Sequence, residues 1–146
     1  MGEESLELIV ESLLSILPLF KKKLIKPGTC SDEDGLSPTH YQILFLLDDL
    51  GMLSVSEIAK NLYVSKPNMT PLIKKLIDRG LVERLRNEED RRYVNINLTQ
   101  NGRDFVERHK KIILNSLKER LSKLGENELE NLSKSLQNVR EIISKL

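Results

Sequence analysis

The sequence predicts a mainly α-helical chain carrying one small β element of two or three strands. Three observations lead there. Long stretches toward both ends repeat apolar residues at spacings of three and four, the period of an amphipathic helix. Two shorter amphipathic stretches meet near the middle at a tight turn. Residues 94–98 alternate strictly, with Val94, Ile96 and Leu98 set against Asn95 and Asn97, the pattern of a half-buried strand.

The 146 residues, 39% of them hydrophobic, suit one domain, or one domain with an appended helical part. There is no Trp, so Leu, Ile and Val must build the core. No apolar run approaches the roughly 18 residues of a membrane span. The acidic start (Glu3, Glu4, Glu7) is unlike a signal peptide. A cytoplasmic protein with no membrane partner is expected. The single Cys30 rules out an intramolecular disulfide framework and a multi-cysteine zinc site. With no cation beside it in the sequence, it reads as an inert thiol.

The first helix shows its stripe in Leu6, Ile9, Val10, Leu13, Leu17, Phe20 and Leu24. Leu14, Ile16 and Leu19 widen it beyond one face, and Pro18 should kink or split it. Residues 27–37 read as a polar loop. Ser37-Pro38 then starts a second helix, with Ser as N-cap and Pro at the first helical position, and this helix stops at Gly51. Ser54 or Ser56 caps a short helix whose buried side is Ile58, Ala59 and Leu62.

After a turn at Val64-Ser65, another helix carries Met69, Leu72, Ile73, Leu76 and Ile77 on one side and ends at Gly80. Two short helices joined in this way make a helix-turn-helix. Tyr63 stands where many such turns use Gly. Pro67 fits the first turn of the second helix, and Pro71 should distort it slightly. Leu81–Leu85 is read as a strand mainly because Val94–Leu98 needs a partner. Thr99 caps a long helix (Phe105, Val106, Ile112, Ile113, Leu117, Leu121), Gly125 breaks it, and a last helix runs on from Leu129. The terminal helices are too apolar for the small central module to cover, which points to an inter-subunit bundle.

Charge is distributed unevenly. Between Ser54 and Arg103, ten basic residues stand against six acidic ones, whereas the two ends together hold thirteen basic and sixteen acidic. A basic centre with acidic flanks fits a phosphate-binding face. In a helix-turn-helix the N-terminal residues of the second helix face base edges, which selects Ser65, Lys66, Asn68, Met69 and Thr70. Asn pairs with adenine, and Lys reaches guanine. Lys74 and Lys75, further along, suit phosphates, which position without specifying. Arg84 and Arg86 suit phosphates at the base of the hairpin. No catalytic group is expected. His40 and His109 stand in separate helices without a motif, and neither a metal site nor a cofactor can be assigned.

Three stretches sharpen the reading: SVSEIAKNLYVSKPNMTPLIKKLIDRGLVER, the DxRxxxxxLT pattern from Asp90 to Thr99, and Gly102. Over essentially its whole length the chain resembles the MarR family of transcriptional regulators. The resemblance implies a dimeric winged helix-turn-helix with N- and C-terminal dimerisation helices. Residues 1–36 and 101–146 would form one dimerisation unit, and residues 37–100 the DNA-binding lobe. It further implies that Arg92 enters the minor groove from the wing, held by Asp90, with Arg91 beside it. Narrow minor grooves attract such a guanidinium.

The family's ligand pocket borders the second helix, which would put Tyr41 and Phe45 there. The implied function is that of a repressor on a pseudo-palindromic double-stranded operator, released by a small phenolic or lipophilic effector. The TPLIKKL segment is similar to the peroxide-sensing branch, but the cysteine that branch uses in its first helix is missing here. Three rivals stand beside this reading: a winged-helix protein-interaction module, an enzyme on a helical scaffold, and a DNA-binding protein with no effector.

Overall fold

The computed structural model describes residues 2–24, 35–86, 88–90, 92 and 94–146. Cys30 and Arg91 lie outside the described residues, as does most of the loop expected at 27–37. Among the described residues six helices are formed: α1 (Glu3–Leu24), α2 (Pro38–Leu50), α3 (Val55–Leu62), α4 (Lys66–Asp78), α5 (Gln100–Leu121) and α6 (Glu126–Ile143). Three short strands, β1 (Leu53–Ser54), β2 (Val82–Arg86) and β3 (Val94–Leu98), make one antiparallel sheet in the order β1-β3-β2. Pro18 lies inside α1 and does not split it. No described helix is long and apolar enough to cross a membrane.

The chain divides into two compact units, residues 30–112 and residues 1–29 with 113–146. The first of these units takes in the opening half of α5. The reason is packing. Gly102, Phe105, Val106 and His109 on α5 are all buried. Phe105 stacks on Tyr41 of α2 with ring centroids 5.8 Å apart, and His109 stacks on Phe105 at 4.0 Å.

The core of this unit gathers Ile43, Leu44 and Leu47 of α2, Ile58 and Ala59 of α3, and Met69, Ile73 and Leu76 of α4. Val82, Ile96 and Leu98 join it from the sheet. In the second unit, α1 and α6 bury no residue at all.

Helix ends follow from local chemistry. The Ser37 N–H donates to His40 Nδ1 at 2.9 Å, so a histidine takes the part that Glu plays in a capping box. Ser54 Oγ accepts the Glu57 N–H at 3.1 Å, and Ser65 Oγ accepts the Asn68 N–H at 3.4 Å. The Ser65 cap settles where α4 starts: Lys66 is its first residue, Pro67 falls in the first turn, and Pro71 is carried inside the helix.

Gly80, at φ 70°, closes α4. Its N–H reaches Ile77 O at 2.9 Å, and the Leu81 N–H reaches Leu76 O at 3.0 Å, the paired bonds of a Schellman motif.

Candidate nucleic-acid interface

The pairing register explains how the hairpin becomes basic. Val82 lies opposite Leu98, Arg84 opposite Ile96, and Arg86 opposite Val94. Opposed residues share a face, so Arg84 and Arg86 extend the face that Val82 and Ile96 begin inside the core. The face turns from apolar to cationic as the hairpin leaves the protein. The other face carries Glu83 and Leu85 against Asn97 and Asn95.

At the tip, Arg92 and Asp90 form a fork. Arg92 Nε donates to Asp90 Oδ1 at 3.1 Å and Nη2 to Oδ2 at 3.0 Å, while the Arg92 backbone N–H also reaches Oδ1 at 3.1 Å. These bonds hold the Asp90 carboxyl below its ordinary range and raise the Arg92 guanidinium further. The Arg92 side chain stays 88% exposed.

The wing and α4 share one junction. The Thr99 N–H donates to Leu81 O at 3.1 Å, and Thr99 Oγ1 donates to Gly80 O at 2.6 Å. The same hydroxyl accepts the Gly102 N–H at 3.0 Å, capping α5. Gly102 lies so close to the chain that a Cβ there would come 1.9 Å from Leu81 O. The residues of the GL, LT and Gly102 signature thus fasten four element ends to one another: the end of α4, the start of β2, the end of β3 and the start of α5.

Between the start of α4 and the wing lies a groove of about 320 Å³ lined by Ser54, Ser56, Lys66, Thr70, Arg84 and Arg92, with Val55 and Val94. Three cations and three hydroxyls converge there. Ser54 and Ser56 read as capping residues in the sequence, and nothing in their spacing marks them as groove residues.

The expected recognition-helix residues divide. Ser65, Lys66, Asn68, Thr70 and Lys74 are exposed. Met69 does not belong with them: it is fully buried, because its place three residues before Leu72 and four before Ile73 sets it on the apolar side of α4. The Lys75 ammonium is bonded to the Gly35 carbonyl, so it is engaged within the lobe. Tyr41 is buried, with centroid distances of 5.8 Å to Phe105 and 5.2 Å to His109, and Phe45 packs at the edge of the core. Among the described residues, no group of three or more His, Cys, Asp or Glu side chains is placed to hold a metal ion.

Comparison with known proteins agrees with this geometry. The MarR family pattern matches residues 36–94, within the unit that holds the groove. The chain is 34% identical over 85 residues to the HTH-type transcriptional regulator SarZ of Staphylococcus epidermidis, covering 58% of this chain and 57% of that one. The match thus spans little more than half the length of SarZ. It is 30% identical over 112 residues to the uncharacterized HTH-type transcriptional regulator YdgJ of Bacillus subtilis, covering 77% of this chain and 68% of that one. The crystal structure of apo MarR from E. coli superposes with a TM-score of 0.74 at 22% identity, covering 88% of this chain and 94% of that one, a likeness of fold. A six-helix, three-stranded winged helix-turn-helix with the family's pattern across its lobe belongs to the MarR family of transcriptional regulators.

Proposed function

We propose that this chain binds double-stranded DNA sequence-specifically as a homodimer and represses transcription from a pseudo-palindromic operator. The observation that carries the reading is the groove shared by Lys66, Thr70, Arg84 and Arg92. It joins the start of an exposed recognition helix to a cationic wing, so one phosphate strand seated there would have base edges on one side and the minor groove on the other. Ser65, Asn68 and Thr70 read bases. Lys66, Lys74, Arg84 and Arg86 hold phosphates, and Arg92 reads groove width. Release by a small phenolic or lipophilic effector completes the proposal and rests on membership of the family.

The test is selection from random duplexes by the full chain, followed by anisotropy titration of the winner and of a scrambled duplex. The expected result is a two-fold symmetric sequence bound at least about 10³-fold more tightly than the scrambled one at physiological salt. Equal binding of both would remove the specific-regulator reading, and no binding even at low salt would favour a protein-interaction module. Adding phenolic compounds to the bound complex tests the effector step, and release by none of them would favour an effector-independent protein.

A further inference from the structure

Tyr63 is the only non-glycine residue with a positive φ among the described residues (φ 54°, ψ 38°). It closes α3: its N–H reaches Lys60 O at 3.4 Å, and the Val64 N–H reaches Ala59 O at 3.0 Å. These are the same paired bonds that Gly80 makes at the end of α4. Glycine takes this conformation freely, whereas a side chain meets a Cβ clash. The lobe therefore solves one turn twice, once without strain and once with it. Packing does not offset the strain, because the Tyr63 residue is 97% exposed.

Its place in the fold gives the ring a use. Two residues later Ser65 caps α4, so Tyr63 stands at the end of α4 from which Ser65, Lys66 and Thr70 are presented. Lys60, one turn back on α3, lines the same shallow concavity, together with Glu57 and Asn61. A phenol is a neutral donor suited to a phosphate oxygen, and its ring is broad enough to cover a deoxyribose. Tyrosine is among the side chains that contact the DNA backbone.

Building on the DNA-binding reading above, we propose that Tyr63 is a backbone contact at the outer edge of the interface. Its hydroxyl donates to a phosphate flanking the segment that α4 reads, and the left-handed turn holds it there. The contact adds affinity without reading sequence.

The test uses the full chain and the duplex selected by the wild type. Tyr63→Gly should melt at a higher temperature than wild type and yet bind about tenfold more weakly. A purely structural role would move stability and affinity in the same direction. Tyr63→Phe should weaken binding about fivefold and leave the salt dependence unchanged, because a neutral donor releases no counterion. Tyr63→Asn, which tolerates the left-handed conformation, should bind as weakly as the glycine variant.

Wild-type affinity in the glycine variant overturns the proposal. So does an asparagine variant that binds like wild type, since turn stiffness would then explain the glycine result. Both outcomes leave the DNA reading standing. A wild type that selects no duplex removes that reading and this proposal with it.

Discussion

Arg92 projects from the wing with most of its side chain in water, and Asp90 grips two of its nitrogens and its backbone N–H. The pair is too exposed to be a stability device, so its effect is to aim a cation. Arg92→Ala should cut operator affinity severely and flatten the salt dependence by about one unit of slope for each wing engaged, as read by anisotropy at several salt concentrations. Asp90→Asn makes the protein more positive. If net charge alone governed binding, it would tighten. An aimed guanidinium predicts that it loosens, and that contrast discriminates.

His40 is the other residue whose environment makes a sharp forecast. Its Nδ1 accepts the Ser37 N–H, which puts the neutral ring's proton on Nε2, a buried atom with no hydrogen-bond partner among the described residues. Burial, then the nearby Lys75 and Arg79 charges, lower its pKa from 6.5. The folded protein thus takes up this proton less readily than the unfolded chain. The resulting stability is intact above pH 6.5 and is lost as pH falls through the depressed value. Urea midpoints should drop between pH 7.5 and 5, and by less in His40→Gln, whose amide keeps a cap acceptor and does not titrate. Equal drops in both proteins would remove the role of His40.

At the level of elements, the sequence was most legible where one face is uniformly buried. β3 alternates Val94, Ile96 and Leu98 because all three look into the core or its margin. β2 was hard to see because only Val82 is buried: its inward face turns cationic at Arg84 and Arg86, so alternation in polarity disappears while alternation in direction persists. β1 has two residues, too few for any period, and it hides inside the run that caps α3. Met69 satisfied two patterns at once, the apolar stripe and the recognition-helix window, and burial decided for the stripe.

Gly102 was visible only as part of a resemblance, because no local pattern records a contact with Leu81, 21 positions earlier. The contact turns it into a forecast. The clashing atom in Gly102→Ala would be a backbone carbonyl that also accepts from Thr99, so it cannot swing aside as a side chain would. The variant should lose about 3 kcal/mol or more in urea unfolding. The junction holds the wing beside α4, so operator affinity should fall even where the variant remains folded. Near-wild-type stability would mean that α5 can shift away from the hairpin at little cost.

On the scale of the molecule, the two units place their apolar residues differently. The lobe of residues 30–112 buries a continuous Leu, Ile and Val core. The other unit leaves its stripes in the open, with Leu13 at 45%, Leu17 at 65%, Leu136 at 56% and Ile142 at 63% exposure. An apolar surface of this extent marks an association site, and two copies of one chain meet most simply through the same patch about a two-fold axis. The same axis would pair two recognition helices for a symmetric operator.

The full chain should therefore sediment as a dimer at micromolar concentration. Leu13→Glu combined with Val139→Glu places a charge in each stripe and should yield monomers. The burial of Tyr41, Ile43 and Leu44 lies in the other unit, so near-ultraviolet circular dichroism from the buried Tyr41 ring should survive and separate dissociation from unfolding. Operator affinity should fall by about 10² or more, because the second half-site is no longer engaged intramolecularly. Binding to a single half-site should change little. A monomeric wild type, or a charged variant that remains dimeric, would show that these helices are not the interface, and a symmetric operator would then need a different route to pairing.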